Sequence, residues 1–279
     1  MRACDLGGSE WPDETVAWCN TNMRYVAIGD SFTEGVGDPR PDGGVRGWAD
    51  RVAEGLAARL DEPVEYANLA IRGRLLRPIV TDQLDAALSL DPLPDLLTLN
   101  GGGNDMLRPG VRIGDLLALT DRAARRCADA GVRLVLLSGA DPTAQLPLGR
   151  FVRRRGAALT AGSVTIAARY GLTFVNGFGD DEIRAPRYWS ADRLHLNSAG
   201  HARIAGLVLH ALGHGPVPPP APPEPPSVRT AATTAQYYRE HVVPWVSRRL
   251  HGTSSGDGRL AKHPVWYPLS PGPARSGSE

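Results

Sequence analysis

Short apolar runs alternate with longer amphipathic stretches along most of the chain. Tyr25, Val26, Ala27 and Ile28 form the first run, which breaks at Gly29. Such a run ending at a glycine predicts a buried strand. In residues 48–60 the apolar positions Trp48, Val52, Leu56 and Leu60 keep the four-residue spacing of one helical face. Residues 64–69 predict the second strand. Residues 75–90 predict the next helix, with Leu76, Val80, Leu84 and Leu88 in register until Asp91-Pro92-Leu93-Pro94 ends it. The alternation continues with strands at 95–100, 132–138 and 172–175 and helices at 113–130, 151–170 and 198–212. Each crossover is long enough for a right-handed strand–helix–strand unit. The pattern predicts an α/β fold, a three-layer α/β/α sandwich around a five-stranded parallel sheet of flavodoxin-like type.

The two ends depart from this rhythm. Residues 1–22 are polar, are broken by Pro12 and show no period. They read as a disordered or mis-annotated N-terminal extension, since Met23 immediately precedes the first strand. Residues 23–215 form the main domain. Residues 216–226 (PVPPPAPPEPP) read as a stiff polyproline linker. Residues 227–279 form a basic tail, in which Tyr238, Val242, Trp245, Val246 and Leu250 share one side of a short amphipathic helix interrupted by Pro244. This stripe is expected to fold back onto the main domain rather than enter a membrane or bind a partner. The Gly-, Ser- and Pro-rich residues after Gly252 are expected to be disordered. On that reading a chain ending at Gly252 matches the full chain in stability, and one ending at Gly215 does not.

Composition narrows the function. A net charge of +1 removes any global electrostatic case for nucleic acid. No apolar run approaches the roughly 20 residues of a membrane span, so no stable membrane anchor is expected. Cys4, Cys19 and Cys127 are odd in number and match no zinc or redox spacing. The first 20 residues lack the apolar core of a secretory signal. Together these features predict reduced thiols and a cytoplasmic location. Oligomeric state stays open.

Candidate chemistry collects at the predicted strand ends. Ser31 follows the first strand, Gly73 the second, Asn104 the third, and Asp192 and His195 the fifth. In a parallel sheet these loops open on one edge, where ligands bind. Serine is a poor nucleophile until a base takes its proton. His195 is such a base, because imidazole titrates near neutrality. Asp192, three residues earlier, is placed to orient the ring and stabilise the imidazolium. The amides of Ser31 and Gly73 and the side-chain amide of Asn104 are candidate oxyanion donors.

Four segments, GDSFTEG, NLAIRG, GGND and DRLHLNSAGH, resemble the sequence blocks of the SGNH (GDSL-type) hydrolases. The resemblance spans residues 24–212. It implies the flavodoxin-like SGNH hydrolase fold and cofactor-independent hydrolysis of esters or thioesters of small substrates. It implies Ser31 as nucleophile, His195 as base and Asp192 as orienting acid, with Ser31, Gly73 and Asn104 forming the oxyanion hole. Phe32 stands where the family's older name expects leucine, a matter of pocket detail. Thr33 occupies the position where the nucleophile elbow of ordinary α/β-hydrolases needs glycine. The competing reading is a non-catalytic ligand-binding or interaction protein that keeps the fold.

Other clusters point elsewhere less well. Gly101–Gly103 lacks the Lys-Ser/Thr of a phosphate loop. His195, His201, His210 and His214 match no tight metal-ligand spacing, so no metal is expected. Arg150, Arg153, Arg154 and Arg155 read as a solvated helix face, with recognition of an anionic substrate group as the alternative. The loops at 35–47 and 141–149 are the expected seats of specificity.

Overall fold

A computed structural model of the protein describes residues 22–108, 110–144, 149–222 and 256–271. The N-terminal extension and the amphipathic helix expected around 238–250 lie outside the described residues.

Five parallel strands form the centre: β1 (Met23–Ile28), β2 (Val64–Asn68), β3 (Leu96–Leu99), β4 (Arg133–Ser138) and β5 (Thr173–Asn176). Their order is β5-β4-β3-β1-β2. β1 lies between β2 and β3, with Met23 opposite Val64 and Tyr25 opposite Leu96. The chain leaves β1 toward β2 and later returns to β3 on the other side. This reversal opens a crevice at the strand ends.

Side chains on successive strand residues point to opposite faces. Tyr25 and Ala27 pack on one face with Trp48, Val52, Leu56, Ile204 and Val208. Val26 and Ile28 pack on the other with Leu76, Ile79, Leu84, Leu116 and Ile166. The helices follow in chain order: α1 (Ser31–Glu34), α2 (Trp48–Leu60), α3 (Leu76–Pro78), α4 (Leu84–Leu88), α5 (Gly103–Met106), α6 (Ile113–Asp129), α7 (Gly149–Tyr170) and α8 (Ser198–Ala211). α2 and α8 cover the first face; α3, α4, α6 and α7 cover the second. The helix expected over 75–90 is present but contains a wide π turn at Ile79–Gln83 between α3 and α4.

The sheet has a sixth strand, β6 (His263–Leu269), antiparallel to β2 with Val64 opposite Leu269 and Tyr66 opposite Tyr267. This corrects two expectations: the sheet is mixed rather than five-stranded and parallel, and the chain after Gly252 is not structureless throughout. The physical reason lies in the pattern. His263, Trp266 and Leu269 are the partly buried positions, every third residue rather than every second, and the register shifts between Tyr66 and Asn68. Pro264 and Pro268 suit an edge strand, where missing amide hydrogens cost least. The described part of the polyproline segment is also packed. Arg203 Nη1 donates to the Pro218 carbonyl at 3.1 Å, and the Ala221 amide donates to the Tyr188 hydroxyl at 2.7 Å.

Just before β6, Lys262 Nζ lies 2.6 Å from Oδ2 of buried Asp50. Removing one partner of a buried pair costs about 3–5 kcal/mol. A chain ending at Gly252 is therefore expected to melt several degrees below the full chain. Thermal melting followed by circular dichroism checks this, and equal melting temperatures would show that β6 adds no stability.

Candidate active site

Ser31 opens α1 at the end of the central strand. Its approach is tightly specified. A Cβ at Gly29 would stand 2.8 Å from the Asn100 carbonyl oxygen, so only glycine fits. The buried Gln83 side chain accepts from the Gly29 amide at 2.8 Å and donates to the Gly29 carbonyl at 3.0 Å. Asp30 caps α1 by accepting from the Phe32 amide at 3.1 Å. The Phe32 ring packs against Trp48 and His201.

The loop after β5 returns to this point. Trp189 and Leu196 form an antiparallel bridge, and between them Arg193 adopts a left-handed conformation with φ 57°. Asp192 Oδ1 accepts from the Ser190 hydroxyl at 2.7 Å and from the amides of Leu194 and His195, each at 2.9 Å. Asp192 Oδ2 lies 2.6 Å from His195 Nδ1, and His195 Nε2 lies 3.0 Å from Ser31 Oγ. With the proton on Nδ1, the Nε2 lone pair faces the serine hydroxyl. Burial pushes the Asp192 carboxyl up, but its bond to the imidazole, the imidazolium charge and the His195 amide outweigh this. They hold it well below the usual carboxylate range.

Gly73 lies in a turn closed by the Arg74 amide donating to the Ile71 carbonyl at 3.3 Å, with a φ of 76° that favours glycine. Ile71 donates in turn to the Gly29 carbonyl. Asn104 Nδ2 donates to Asp30 Oδ2 at 3.2 Å and to the Arg74 carbonyl at 3.1 Å. Ser31, His195 and Asp192 are thus joined directly. Gly73 and Asn104 are joined to the serine loop through Asp30, Gly29 and Arg74.

Sequence patterning does not single out Asp105 or His201 as supports, and it reads Asp30 as a cap and a hydrogen-bonding support of the strand-end loop with no catalytic step. Asp30 reads locally as a helix cap, yet its buried carboxyl also orients Asn104. Burial drives that carboxyl up to about 6, against the Phe32 amide and the His195 charge. Asp105 accepts from the Leu76 amide at 2.9 Å and fastens the Asn104 segment to α3. His201, buried in α8, accepts from the Trp48 amide at Nδ1 and donates to the Val36 carbonyl from Nε2, each at 3.2 Å. The histidines do not converge, since His210 pairs instead with the Gly215 carbonyl at 2.9 Å. Among the described residues no group of three His, Cys, Asp or Glu side chains is placed to hold a metal ion. Arg150, Arg153 and Arg154 lie on the exposed face of α7. Arg155 donates to the Val111 carbonyl at 2.7 Å.

The sequence profile of the GDSL-like Lipase/Acylhydrolase family matches residues 27–203, well over half of the chain. The chain belongs to that family. It is an ester-hydrolysing enzyme. A comparison with curated protein sequences finds no match. Solved structures share the fold of this GDSL hydrolase. The lipase Lip_vut3 from a goat rumen metagenome is 19% identical with a TM-score of 0.56, covering 71% of this chain and 100% of its own. A catalytic mutant of the acetylxylan esterase Axe2 from Geobacillus stearothermophilus is 20% identical with a TM-score of 0.57, covering 68% and 94%. The esterase EstA from Pseudoalteromonas sp., inhibited by monoethylphosphonate, is 18% identical with a TM-score of 0.54, covering 69% and 97%. In the GDSL hydrolase, among the described residues, no helix is long and apolar enough to cross a membrane.

Burial lowers His201 from 6.5 to about 4. Between these values the unfolded chain binds the proton first. Its contribution to stability is therefore full above about pH 6.5 and is lost as pH falls toward about 4, amounting to about 3 kcal/mol. In the hydrolase His201→Gln, which keeps a donor and an acceptor, the melting temperature should fall less between pH 7 and pH 5 than in the wild type. Identical slopes would rule out a buried neutral imidazole.

Proposed function

We propose that the protein hydrolyses carboxylic esters or thioesters of small substrates through an acyl-enzyme intermediate on Ser31. The observation that carries this reading is the continuous chain from Ser31 Oγ to His195 at 3.0 Å and from His195 to Asp192 at 2.6 Å. His195 Nε2 takes the hydroxyl proton as Oγ attacks the carbonyl carbon. Negative charge collects on the carbonyl oxygen, where the amides of Ser31 and Gly73 and the Asn104 side chain are the donors. The Asn104 side-chain amide that donates to Asp30 Oδ2 at 3.2 Å is the side-chain donor of this set. The imidazolium then protonates the leaving alcohol or thiol, Asp192 stabilising its charge. Water, activated by His195, attacks the acyl-enzyme, and the acid leaves with Ser31 restored.

The intact hydrogen-bonded chain disfavours the non-catalytic alternative. The reading needs no cofactor, nucleic acid or membrane. It keeps a cytoplasmic location on the strength of cysteine usage. Cys127 is buried with its thiol pushed up to about 12, which suits an inert, reduced side chain. Substrate selection falls to the loop at 35–47. There Pro39 bridges Val45, and the Arg46 amide donates to the Asp38 carbonyl at 2.8 Å. The second specificity loop, at 141–149, begins at Asp141, which lies 3.5 Å from both Arg153 and Arg184.

A fluorophosphonate should label the wild type on Ser31, and Ser31→Ala should lose labelling and at least about 10³ in kcat on an aryl ester. Activity retained in purified Ser31→Ala would overturn the assignment. His195→Ala should be as damaging, and Asp192→Asn less so, because Asp192 orients rather than transfers the proton. Asn104→Ala should lower kcat by about 10²–10³ with KM little changed. An effect confined to KM would make Asn104 a substrate-binding residue instead.

A further inference from the structure

The segment entering β6 reaches the proposed catalytic site from behind. Lys262 Nζ donates to the Glu34 carbonyl at 2.9 Å, to the Val45 carbonyl at 3.1 Å and to Asp50 Oδ2 at 2.6 Å. An ammonium group has three hydrogens, and each finds an acceptor here. The site is built for it: the side chain of Lys262 is 16% exposed and that of Asp50 3%.

Each acceptor belongs to an element that touches the chemistry. Glu34 ends α1, the single helical turn that Ser31 begins. Its carbonyl is one that so short a helix leaves without an internal partner. Val45 belongs to the loop at 35–47. Asp50 Oδ2 also accepts from the Gly47 amide at 2.8 Å, closing the same loop onto α2. The Glu34 side chain accepts from the Arg72 amide at 2.6 Å and pairs with the Arg72 guanidinium, one residue before Gly73. The tail presses on that turn as well. A Cβ at Gly256 would fall 2.0 Å from the Arg72 carbonyl oxygen.

We propose that Lys262 is a positioning residue for hydrolysis, holding the Ser31 helix, the 35–47 loop and the Gly73 turn in one geometry. It touches no reacting atom. It acts through Glu34 and Val45, and this inference rests on Ser31 being the nucleophile. A misplacement of about 1 Å costs on the order of 10² in rate, so a loosened α1 is read in kcat.

The test uses the full chain. Lys262→Met should lower kcat on an aryl ester at least about tenfold with KM within about threefold. The rate of fluorophosphonate labelling should fall by a similar factor. The midpoint of the pH–rate profile should not move, because His195 and Asp192 are untouched. The double variant Asp50→Asn with Lys262→Met leaves no unpaired buried charge and secures the fold, and it should show the same loss. Trp266→Ala weakens the same strand at its centre, where Nε1 donates to the Pro92 carbonyl at 3.1 Å. It should lower the melting temperature while kcat stays within about threefold of the wild type. Wild-type kcat in folded Lys262→Met, recovery in the double variant, or an equal loss in Trp266→Ala would each overturn the proposal. Hydrolysis that survives Ser31→Ala would instead overturn the reading beneath it.

Discussion

Three consecutive residues at the end of the central strand, Gly29, Asp30 and Ser31, hold the proposed active-site edge together. Gln83 brackets the Gly29 peptide from one side, and Ile71 donates to its carbonyl from another. Asn104 reaches Asp30, and His195 reaches Ser31. These contacts come from the β2–β3 crossover, the β3–β4 crossover and the loop after β5, yet they meet within one turn of chain. That convergence is possible because β1 has a parallel neighbour on each side, so the loops after β2 and β3 flank it. An antiparallel arrangement would send half of these loops to the opposite edge.

Buried charge is distributed around this point with a consistent logic. Asp192 accepts four hydrogen bonds and is held ionised beside the imidazole, which suits the orienting role proposed for it. Asp30 is buried with fewer donors, and its carboxyl rises to about 6. One carboxylate serves charge, the other serves geometry by tying Asn104 to the serine loop. His201 is kept neutral by burial, with one ring nitrogen accepting and the other donating. It joins α2, α8 and the Val36 carbonyl, so the helix that follows His195 is fastened to the loop that follows Ser31.

The C-terminal segment extends the same design beyond the shared fold. The solved structures compared above cover 68–71% of this chain, and the family profile ends at residue 203. β6 and Lys262 lie beyond the end of that profile. The strand covers the open edge of β2, whose unpaired backbone would otherwise be available to other chains. Pro264 and Pro268 interrupt the new edge in turn. The same segment reaches the end of α1 through Lys262, which donates to the Glu34 carbonyl.

Local sequence determined the five parallel strands, the helices between them and the five residues proposed for chemistry. Apolar runs, four-residue spacing and glycine breaks are short-range signals, and the Ser31, Gly73, Asn104 and Asp192–His195 segments each follow a run of their own. Tertiary structure alone decided the rest. Nothing near Gln83 marks it as the partner of Gly29, and nothing near Asp30 announces Asn104, because each bond joins residues more than 50 positions apart. His201 looked like one of several scattered histidines until α8 placed it against Trp48 and Val36. β6 was hidden for a different reason. An edge strand with two prolines and burial at every third position has no period-two pattern to read, and its place is set by a vacant edge on β2 and by the buried carboxylate of Asp50. Periodicity reports which face of an element is covered. It carries no information about which distant side chain completes a buried hydrogen bond, and that pairing is made only when the chain is packed.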